Sequence, residues 1–216
     1  MSHAYLSDGP ADAIITIVLA HGAGGPMDTP WMEEMSAKLV HHGLRVVRFE
    51  FDYMRQRRSG GKRAPPPRAD RLTLEYLAFM DELAPIGSVI IGGKSMGGRV
   101  ASMIADELFG AGRISGLLCL GYPFHPIGKP EQLRTTHLSD MTTSTLICQG
   151  TRDAFGSQEE AARYELSKEI ELFWLEDGDH DFKPRKGVSG QTADQHLSSV
   201  ALRVAMWSKK LSQAAP

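Results

Sequence analysis

Short apolar runs alternate with longer amphipathic segments along most of this chain. The apolar runs lie at residues 14–20, 44–51, 88–92, 116–121, 144–149 and 171–175. Segments with helical periodicity lie between or after them, at 30–42, 71–83, 97–109, 157–167 and 192–211, and 131–138 is a weaker helix candidate. Several apolar runs are continuous, which is typical of strands covered on both faces. The pattern predicts an α/β fold with a doubly wound, mainly parallel, six-stranded sheet and helices on both faces.

Polar, glycine-rich or acidic residues follow directly after the predicted strands. These clusters are His21-Gly22-Ala23-Gly24-Gly25, Asp52-Tyr53, Ser95, Tyr122-Pro123-Phe124-His125, Thr151-Arg152-Asp153 and Gly178-Asp179-His180. In a sheet of parallel strands, all the carboxyl ends lie at the same edge, where such proteins bind their ligands. We therefore expect the clusters to converge on one site.

The segment Gly93-Lys94-Ser95-Met96-Gly97 has the form G-x-S-x-G between a predicted strand and a predicted helix. In that context the motif is a nucleophile elbow, a sharp turn that lifts the serine hydroxyl above the sheet. Glycines flank the serine because a side chain there would clash with the neighbouring strand or helix. The N–H of Met96 would then point at negative charge that develops on a bound carbonyl group.

The same segment has two other interpretations. Gly-Lys-Ser also ends a Walker A loop, but the first glycine of that motif would fall on position 88, which is Ser88, and Gly87 lies one residue too early. Nucleotide binding is therefore disfavoured. The second alternative is an ordinary strand-to-helix turn with no chemistry, and only the rest of the chain argues against it.

A serine hydroxyl needs a base to accept its proton and an acid to orient that base. In the chain order serine, acid, histidine, the candidates are Ser95, Asp153 and His180. The residues between Asp153 and His180 hold one predicted helix and one predicted strand, so His180 returns to the edge of the sheet where Asp153 lies. Three flanking acids, Asp177, Asp179 and Asp181, compete with Asp153, which we favour because a neighbour in sequence rarely points its carboxylate at the adjacent ring.

A second oxyanion donor is expected from the loop after the first predicted strand. His21-Gly22-Ala23-Gly24-Gly25 resembles the His-Gly-rich element of esterases and lipases, and the N–H of Ala23 is the candidate donor. A dinucleotide fingerprint would need a third glycine at position 27, which is Met27.

Length and composition restrict the other classes of function. The chain has 216 residues, 42% of them hydrophobic, and a net charge of −2, which fits a single domain over residues 1–216 and disfavours nucleic-acid partners. No apolar run is long enough to span a bilayer, and the N-terminus lacks the regions of a signal peptide, so no membrane partner is expected and the cytoplasm is the expected compartment. Cys119 and Cys148 lie in predicted strands and are interpreted as reduced core thiols. No metal and no cofactor are expected.

Taken together, these motifs resemble the α/β-hydrolase superfamily over nearly the whole chain. The combination of His-Gly-Ala-Gly-Gly, Gly-Lys-Ser-Met-Gly-Gly and Gly-Tyr-Pro-Phe-His-Pro (121–126) is similar to a small, lidless branch of predicted hydrolases near the dienelactone-hydrolase-like proteins. That branch includes a testis-expressed protein and a subunit of a histone acetyltransferase complex. A serine stands where dienelactone hydrolases carry cysteine. The resemblance implies Ser95, Asp153 and His180 as the triad and implies no particular substrate.

Other residues near the strand ends are candidates for substrate contact. The candidate substrate-binding residues are Gly22, Tyr53, Tyr122, Phe124 and Phe155. Lys94 is interpreted as one half of a partly buried ion pair, with stabilisation of an anionic substrate as the alternative. The basic segment from Arg55 to Arg71 predicts a mobile loop, which serves as a solvated surface, a recruiter of anionic substrates, or a docking patch for an acidic protein or a nucleic acid.

The sequence therefore predicts a serine hydrolase that cleaves a small carboxylic ester or thioester, with a small-molecule acyl substrate. Two alternatives stay open. One is a non-catalytic or weakly catalytic protein-interaction module with the same fold. The other is an acyltransferase or peptidase that uses the same triad, since acceptor choice depends on pocket shape and water exclusion. Without a lid, the site is expected to accept short acyl chains better than long ones.

Overall fold

A computed structural model of the chain describes residues 4–60, 65–85, 87–185 and 187–214. Within these ranges a seven-stranded sheet runs in the order β1-β3-β2-β4-β5-β6-β7. The strands are β1 (Tyr5–Asp8), β2 (Ile15–Ala20), β3 (Arg45–Phe49), β4 (Ser88–Lys94), β5 (Gly116–Leu120), β6 (Thr145–Gly150) and β7 (Ile170–Leu175). All neighbours from β3 to β7 are parallel, and β1 is antiparallel to β3. The predicted doubly wound, mainly parallel α/β fold is confirmed.

The predicted number of six strands is wrong because β1 was not recognised. β1 is an edge strand of only four residues with mostly exposed side chains, so it has no apolar run for a periodicity search to detect. Part of what holds it in place is a side-chain contact: Arg48 Nη2 in β3 lies 2.7 Å from Asp8 Oδ2, which also accepts a hydrogen bond from Ser36. These partners are distant in sequence, and the strand's position depends on them.

The helices lie close to the predicted segments, with three differences. They are α1 (Pro30–His41), α2 (Asp52–Arg58), α3 (Ala69–Leu83), α4 (Met96–Ser102), α5 (Ala105–Gly110), α6 (Gln158–Ala161) and α7 (Ala193–Ala214). The helix predicted at 97–109 is divided, because Met103 and Ile104 donate to carbonyls three residues back instead of four. The helix predicted at 157–167 begins with a capping box between Ser157 and Glu160 but ends at Ala161. The third difference, α2, lies in the segment predicted to be a loop.

Two hydrophobic layers cover the two faces of the sheet. One layer contains Leu72, Tyr76 and Phe79 of α3, together with residues of α4 and α5. The other contains residues of α1 and α7, including Met35 and Val200. Burial of these apolar faces holds both helix layers against the strands. The carboxyl ends of the parallel strands are left as the edge at which loops can build a site.

Tyr76 of α3 inserts its hydroxyl group between two central strands. Its Oη lies 2.9 Å from the carbonyl oxygens of Val18 in β2 and Gly92 in β4, and it accepts a hydrogen bond from the N–H of Gly92 at 3.0 Å. The side chain is fully buried. Its hydroxyl therefore satisfies backbone groups that water cannot reach. Gly92 lies three residues before Ser95, so this contact also supports the strand that leads to the elbow.

We expect Tyr76→Phe to lower the free energy of unfolding by about 1–3 kcal/mol, the cost of leaving buried backbone groups unsatisfied. Urea denaturation monitored by circular dichroism measures the change. Tyr5→Phe is the matched control, because Tyr5 is 45% exposed on the edge strand. Equal losses in the two variants, or no loss in Tyr76→Phe, would contradict the assigned role of the hydroxyl group.

Cys119 and Cys148 are both buried and free. Burial raises the pKa of each thiol well above its ordinary value, so both stay protonated at neutral pH. This agrees with the interpretation of the two residues as core thiols. Among the helices of the described ranges, none has both the length and the apolar composition needed to cross a membrane.

Candidate active site

Ser95 lies on a sharp turn between β4 and α4. Its backbone has φ 52° and ψ −115°, a conformation that is strained for a residue with a side chain. A Cβ atom at Gly97 would lie 2.4 Å from the carbonyl oxygen of Ala20, and one at Gly93 would lie 2.5 Å from the same oxygen. Only glycine allows β2 to pass so close to the turn. The G-x-S-x-G segment thus adopts the elbow geometry that the sequence predicted.

Ser95, His180 and Asp153 are joined by two hydrogen bonds, although they come from three separate loops. Ser95 Oγ lies 2.8 Å from His180 Nε2, and His180 Nδ1 lies 2.8 Å from Asp153 Oδ2. Because a carboxylate can only accept, Nδ1 carries the ring hydrogen. Nε2 is then free to accept the hydrogen of the serine hydroxyl. This is the arrangement in which an imidazole acts as a base toward a serine.

Asp153 is 1% exposed, and hydrogen-bond donors surround its carboxylate. Besides His180, Oδ2 accepts from Gln149 Nε2 at 2.9 Å, and Oδ1 accepts from the N–H of Phe155 at 2.9 Å. These donors compensate for the loss of water around a buried charge. Gln149 also donates to the carbonyl oxygens of Tyr122 and Gly156. Sequence reasoning missed Gln149; a polar residue near the end of an otherwise apolar buried strand was the available signal.

The three acids that flank His180 have other partners. Asp177 accepts hydrogen bonds from the backbone and side chain of Arg185. Asp179 accepts from the N–H groups of Asp181 and Lys183. Asp181 lies 3.4 Å from the ammonium group of Lys94. Among these carboxylates, Asp153 is the one that contacts the His180 ring.

Lys94 is 7% exposed and lies beneath the site. Its ammonium group donates to the carbonyl oxygen of His180 at 2.6 Å, pairs with Asp181, and lies 5.2 Å from the ring centroid of Trp31. Burial lowers the pKa of Lys94, and the negative charge of Asp181 opposes that shift. The contacts match the partly buried ion pair that was favoured from the sequence. They also tie the elbow to the backbone of the loop that carries His180.

His21 orients the loop that carries Ala23. His21 Nδ1 donates to the carbonyl oxygen of Gly22 at 2.7 Å, and Nε2 accepts the N–H of Phe51 at 3.2 Å. Burial lowers the pKa of His21, so the ring stays neutral and can make both bonds. The C=O and N–H groups of a trans peptide point in opposite directions. Because the carbonyl of Gly22 points toward His21, the N–H of Ala23 points away from that ring.

Met96 is the first residue of α4. Its N–H therefore belongs to the first turn of the helix, where amide groups have no carbonyl partner within the helix. The helix dipole adds partial positive charge at this end. Both candidate oxyanion donors thus lie beside Ser95: Ala23 and Met96 line the cavity walls next to its hydroxyl group.

Two cavities meet at Ser95. The first, of 430 Å³, is called the histidine-side cavity; it is lined by Gly22, Ala23, Trp31, Lys94, His180 and Asp181, among others. The second, of 470 Å³, is called the arginine-side cavity; it is lined by Met96, Arg99, Met103, Pro123 and Arg134, among others. Ala23, Ser95 and Phe155 line both. Within the described ranges, no group of three or more His, Cys, Asp or Glu side chains is arranged to hold a metal ion.

The candidate substrate-binding residues have different positions. Gly22 lines the histidine-side cavity, and Phe155 lines both cavities with its ring 4.4 Å from that of His180. Tyr53 is half-buried and donates to the carbonyl oxygen of Ala23 at 3.2 Å, so it supports the oxyanion loop. Tyr122 and Phe124 are fully buried in the core and line neither cavity. For these two the prediction of substrate contact is wrong, because their side chains turn inward beneath the loop.

The basic segment 55–71 is more ordered than predicted over the part that the structure describes. Residues 55–58 belong to α2, where Arg58 pairs with Glu50 and Asp28, and Arg55 pairs with Asp52. Residues 69–71 begin α3. Lys62 and Arg63, which contributed to the predicted charge of the segment, lie outside the described residues. The prediction of a loop is therefore wrong at both ends of the segment.

Comparison with known proteins agrees with this architecture. The chain matches the profile of a family described as "Alpha/beta hydrolase domain" over residues 13–209. A dienelactone hydrolase from Anabaena variabilis has a similar structure, with a TM-score of 0.70, 19% identity and coverage of 95% of this chain and 90% of that one. An α/β serine hydrolase without a lid from Xanthomonas campestris has a TM-score of 0.64, 17% identity and coverage of 99% and 97%.

A monoacylglycerol lipase from Paleococcus ferrophilus also shares the fold, with a TM-score of 0.67, 12% identity and coverage of 96% of this chain and 100% of that one. Identities this low show a common fold and do not extend to substrate. The family profile covers nearly all of the chain, from Ala13, two residues before β2, to the last part of α7. This chain therefore belongs to the α/β-hydrolase domain family.

Proposed function

We propose that this protein is a serine hydrolase that cleaves a small carboxylic ester or thioester through an acyl-enzyme intermediate. The observation that carries the proposal is the hydrogen-bonded series Ser95–His180–Asp153, at 2.8 Å for each bond, at the meeting point of two cavities. Folding alone does not require a serine in strained backbone geometry whose hydroxyl group is hydrogen-bonded to a histidine, so the arrangement indicates a functional role. It fits nucleophilic attack on an acyl carbon.

The first half of the reaction forms the acyl-enzyme. Ser95 Oγ attacks the carbonyl carbon while His180 Nε2 accepts the hydroxyl proton, and the carboxylate of Asp153 stabilises the resulting imidazolium. The N–H groups of Ala23 and Met96 donate to the oxyanion. His180 then gives its proton to the departing alcohol or thiol as the bond from the carbonyl carbon to that group breaks.

The second half releases the acid. Water enters where the leaving group was, His180 accepts one of its protons, and the hydroxide equivalent attacks the acyl carbon. Collapse of the second oxyanion breaks the bond to Ser95 Oγ and returns the proton to the serine. The net reaction is ester plus water to acid plus alcohol, with no other reactant.

Similar structures support this class of reaction. One is a dienelactone hydrolase and another is a monoacylglycerol lipase, names that refer to lactone and ester substrates, and a third is a serine hydrolase without a lid. Between β5 and β6 this chain has only a short 3₁₀ turn, Thr136–Leu138, among its described regular elements. The described part of this connection forms no helical lid that could enclose a long acyl chain, which supports a preference for short acyl groups.

A fluorophosphonate probe tests the proposal directly, because it reacts with an activated serine and not with ordinary serine hydroxyl groups. We expect intact-mass spectrometry to show one adduct per chain on the wild type and none on Ser95→Ala or His180→Ala. Peptide mapping should place the adduct on Ser95. Ser115→Ala is the matched control, since Ser115 precedes β5 at the opposite edge of the sheet, and it should label like the wild type.

If the folded wild-type protein formed no adduct, the proposal that Ser95 is an activated nucleophile would be refuted. The protein-interaction alternative, in which the fold serves as a scaffold without catalysis, would then become the leading hypothesis.

A further inference from the structure

Two arginines face the arginine-side cavity close to the nucleophile. Arg99 lies one helical turn after Ser95 in α4, and its N–H donates to the carbonyl oxygen of Ser95 at 3.1 Å. Residues four apart share a face of a helix, so the Arg99 side chain and Ser95 lie on one side of α4. Arg134 lies in the connection between β5 and β6. Its backbone is fixed at both polar groups, because its N–H donates to Phe124 and its carbonyl accepts from the hydroxyl group of Tyr122.

Within the described ranges, neither guanidinium group forms an ion pair with a carboxylate. This distinguishes them from most arginines of the chain. Those that pair with Asp or Glu include Arg48, Arg58, Arg113, Arg152, Arg185 and Arg203. The acid that lines the same cavity, Asp70, lies 3.2 Å from Arg68 at the exposed mouth. The positive charge deeper in the cavity is therefore not neutralised by the described part of the protein.

The two arginines are also partly withdrawn from water. Both side chains are half-buried, and Arg99 Nε is buried with no hydrogen-bond partner among the described residues. Burial lowers the pKa of Arg134, and the positive charge of Arg99 lowers it further. Two like charges held close together, one of them with a buried donor that no described protein group satisfies, cost free energy. An anionic ligand would remove that cost by supplying oxygen acceptors.

The position of His180 decides which part of the substrate meets the arginines. The leaving group must receive its proton from His180, so it departs on the side of the cavity that His180 lines. His180 lines the histidine-side cavity and not the arginine-side cavity. The acyl group then occupies the arginine-side cavity, where Met96, Met103 and Pro123 offer apolar contacts for a methylene chain.

We propose that Arg99 and Arg134 bind a terminal carboxylate on the acyl group, so that the preferred substrates are monoesters or monothioesters of short dicarboxylic acids. The proposal rests on the proposed function above. Attack by Ser95 breaks the bond to the alcohol or thiol, which leaves protonated, and water then releases the dicarboxylic acid. A guanidinium group binds a carboxylate through two parallel N–H groups, which an uncharged acyl chain cannot use.

A matched pair of chromogenic esters tests the subsite. The pair is 4-nitrophenyl hydrogen adipate, which ends in a carboxylate, and 4-nitrophenyl methyl adipate, in which that carboxylate is masked. Ser95 and Arg99 are about one helical turn apart along α4, and one turn rises about 5.4 Å. The four methylenes of adipate span a little more than this distance, so its carboxylate can reach Arg99 while its ester lies at Ser95. We expect the wild type to favour the carboxylate ester by about 10- to 100-fold in kcat/KM, from charge-assisted hydrogen bonds.

Variants locate the source of that preference. Arg99→Gln and Arg134→Gln should each reduce the ratio of the two kcat/KM values, and the double variant should bring it close to 1. Arg113→Gln removes the same charge from the opposite edge of the sheet, where Arg113 pairs with Asp81, and should keep the wild-type ratio. A wild-type ratio near 1, or a ratio that changes equally in Arg113→Gln, would overturn the proposal even if both esters are hydrolysed.

A binding measurement separates this proposal from the proposed function. Calorimetry on Ser95→Ala compares the binding of monomethyl adipate with that of dimethyl adipate. This measurement does not depend on turnover. We expect the monoanion to bind at least about tenfold tighter, and this difference to disappear in Ser95→Ala/Arg99→Gln/Arg134→Gln. If the wild type hydrolyses neither ester while this difference is seen, the hydrolase proposal fails and the anion subsite stands. Equal affinity for the two ligands refutes the subsite.

Discussion

Replacing Ser95 with alanine is expected to lower kcat by about 10⁴- to 10⁶-fold on any ester that the wild type hydrolyses. His180→Ala should cause a loss of similar size, because without the base the serine hydroxyl is almost never deprotonated at neutral pH. The double variant should be no worse than either single variant, since the two residues act as one unit. Steady-state kinetics with a short-chain 4-nitrophenyl ester, extended to single-turnover conditions for the slow variants, measures these losses.

The matched control for the histidine is His41→Ala. His41 is an exposed residue at the end of α1, and its removal should leave kcat unchanged. Thermal unfolding of each variant verifies that the fold is intact. If the losses in Ser95→Ala and His180→Ala multiplied in the double variant, the two residues would be acting independently. The shared proton transfer proposed here would then be incorrect.

The second large effect is expected for Asp153→Asn, which should lower kcat by about 10⁴-fold while preserving the shape of the side chain. An asparagine can present its NH₂ group to His180 Nδ1, and that nitrogen must then accept instead of donate. The ring hydrogen moves to Nε2, which can no longer take the proton of Ser95 Oγ. The cause of the loss is therefore the wrong tautomer, and KM should change much less than kcat.

Asp179→Asn provides the comparison for this prediction. Asp179 flanks His180 in sequence, but its Oδ1 accepts backbone N–H groups, and an asparagine oxygen can do the same. We expect less than a tenfold change in kcat. NMR of the histidine ring protons in both variants would show the tautomer directly. A large loss in Asp179→Asn with a small loss in Asp153→Asn would show that the orienting acid has been assigned to the wrong residue.

The local pattern of apolar and polar residues was sufficient to predict much of the architecture. The six longer strands and the main helices are continuous segments whose apolar spacing is visible over a few residues, and the confirmed fold class follows from their alternation. Pattern was insufficient for β1, which is short and exposed, and for α2, whose arginines made a charged segment look like a loop. The structure explains both, because each element forms an ion pair with a residue distant in the chain. Asp8 of β1 pairs with Arg48, and Arg58 of α2 pairs with Asp28.

At the candidate site, too, local sequence features predict some residues and miss others. Ser95, Asp153 and His180 could be proposed from the sequence because the elbow motif, the strand ends and the chain order are all one-dimensional features. Their catalytic roles remain a proposal, although the structure brings the three side chains together. Gln149 and His21 were not assigned positioning roles, since each acts through a contact with a loop from another strand. Tyr122 and Phe124 follow a strand end as Phe155 does, yet their rings turn into the core while the Phe155 ring lines both cavities.

The class of fold, the elbow and the set of polar residues at the carboxyl edge of the sheet follow from the amino-acid pattern, because periodicity and glycine placement are local properties. Only the tertiary structure shows the contact between Asp153 and His180, the direction of the Gly22–Ala23 peptide, and the arginines near the nucleophile that have no described carboxylate partner. These depend on distances between side chains that are far apart in the chain. Such distances are set by packing of the helix layers on the sheet and by the shape of the loops between them.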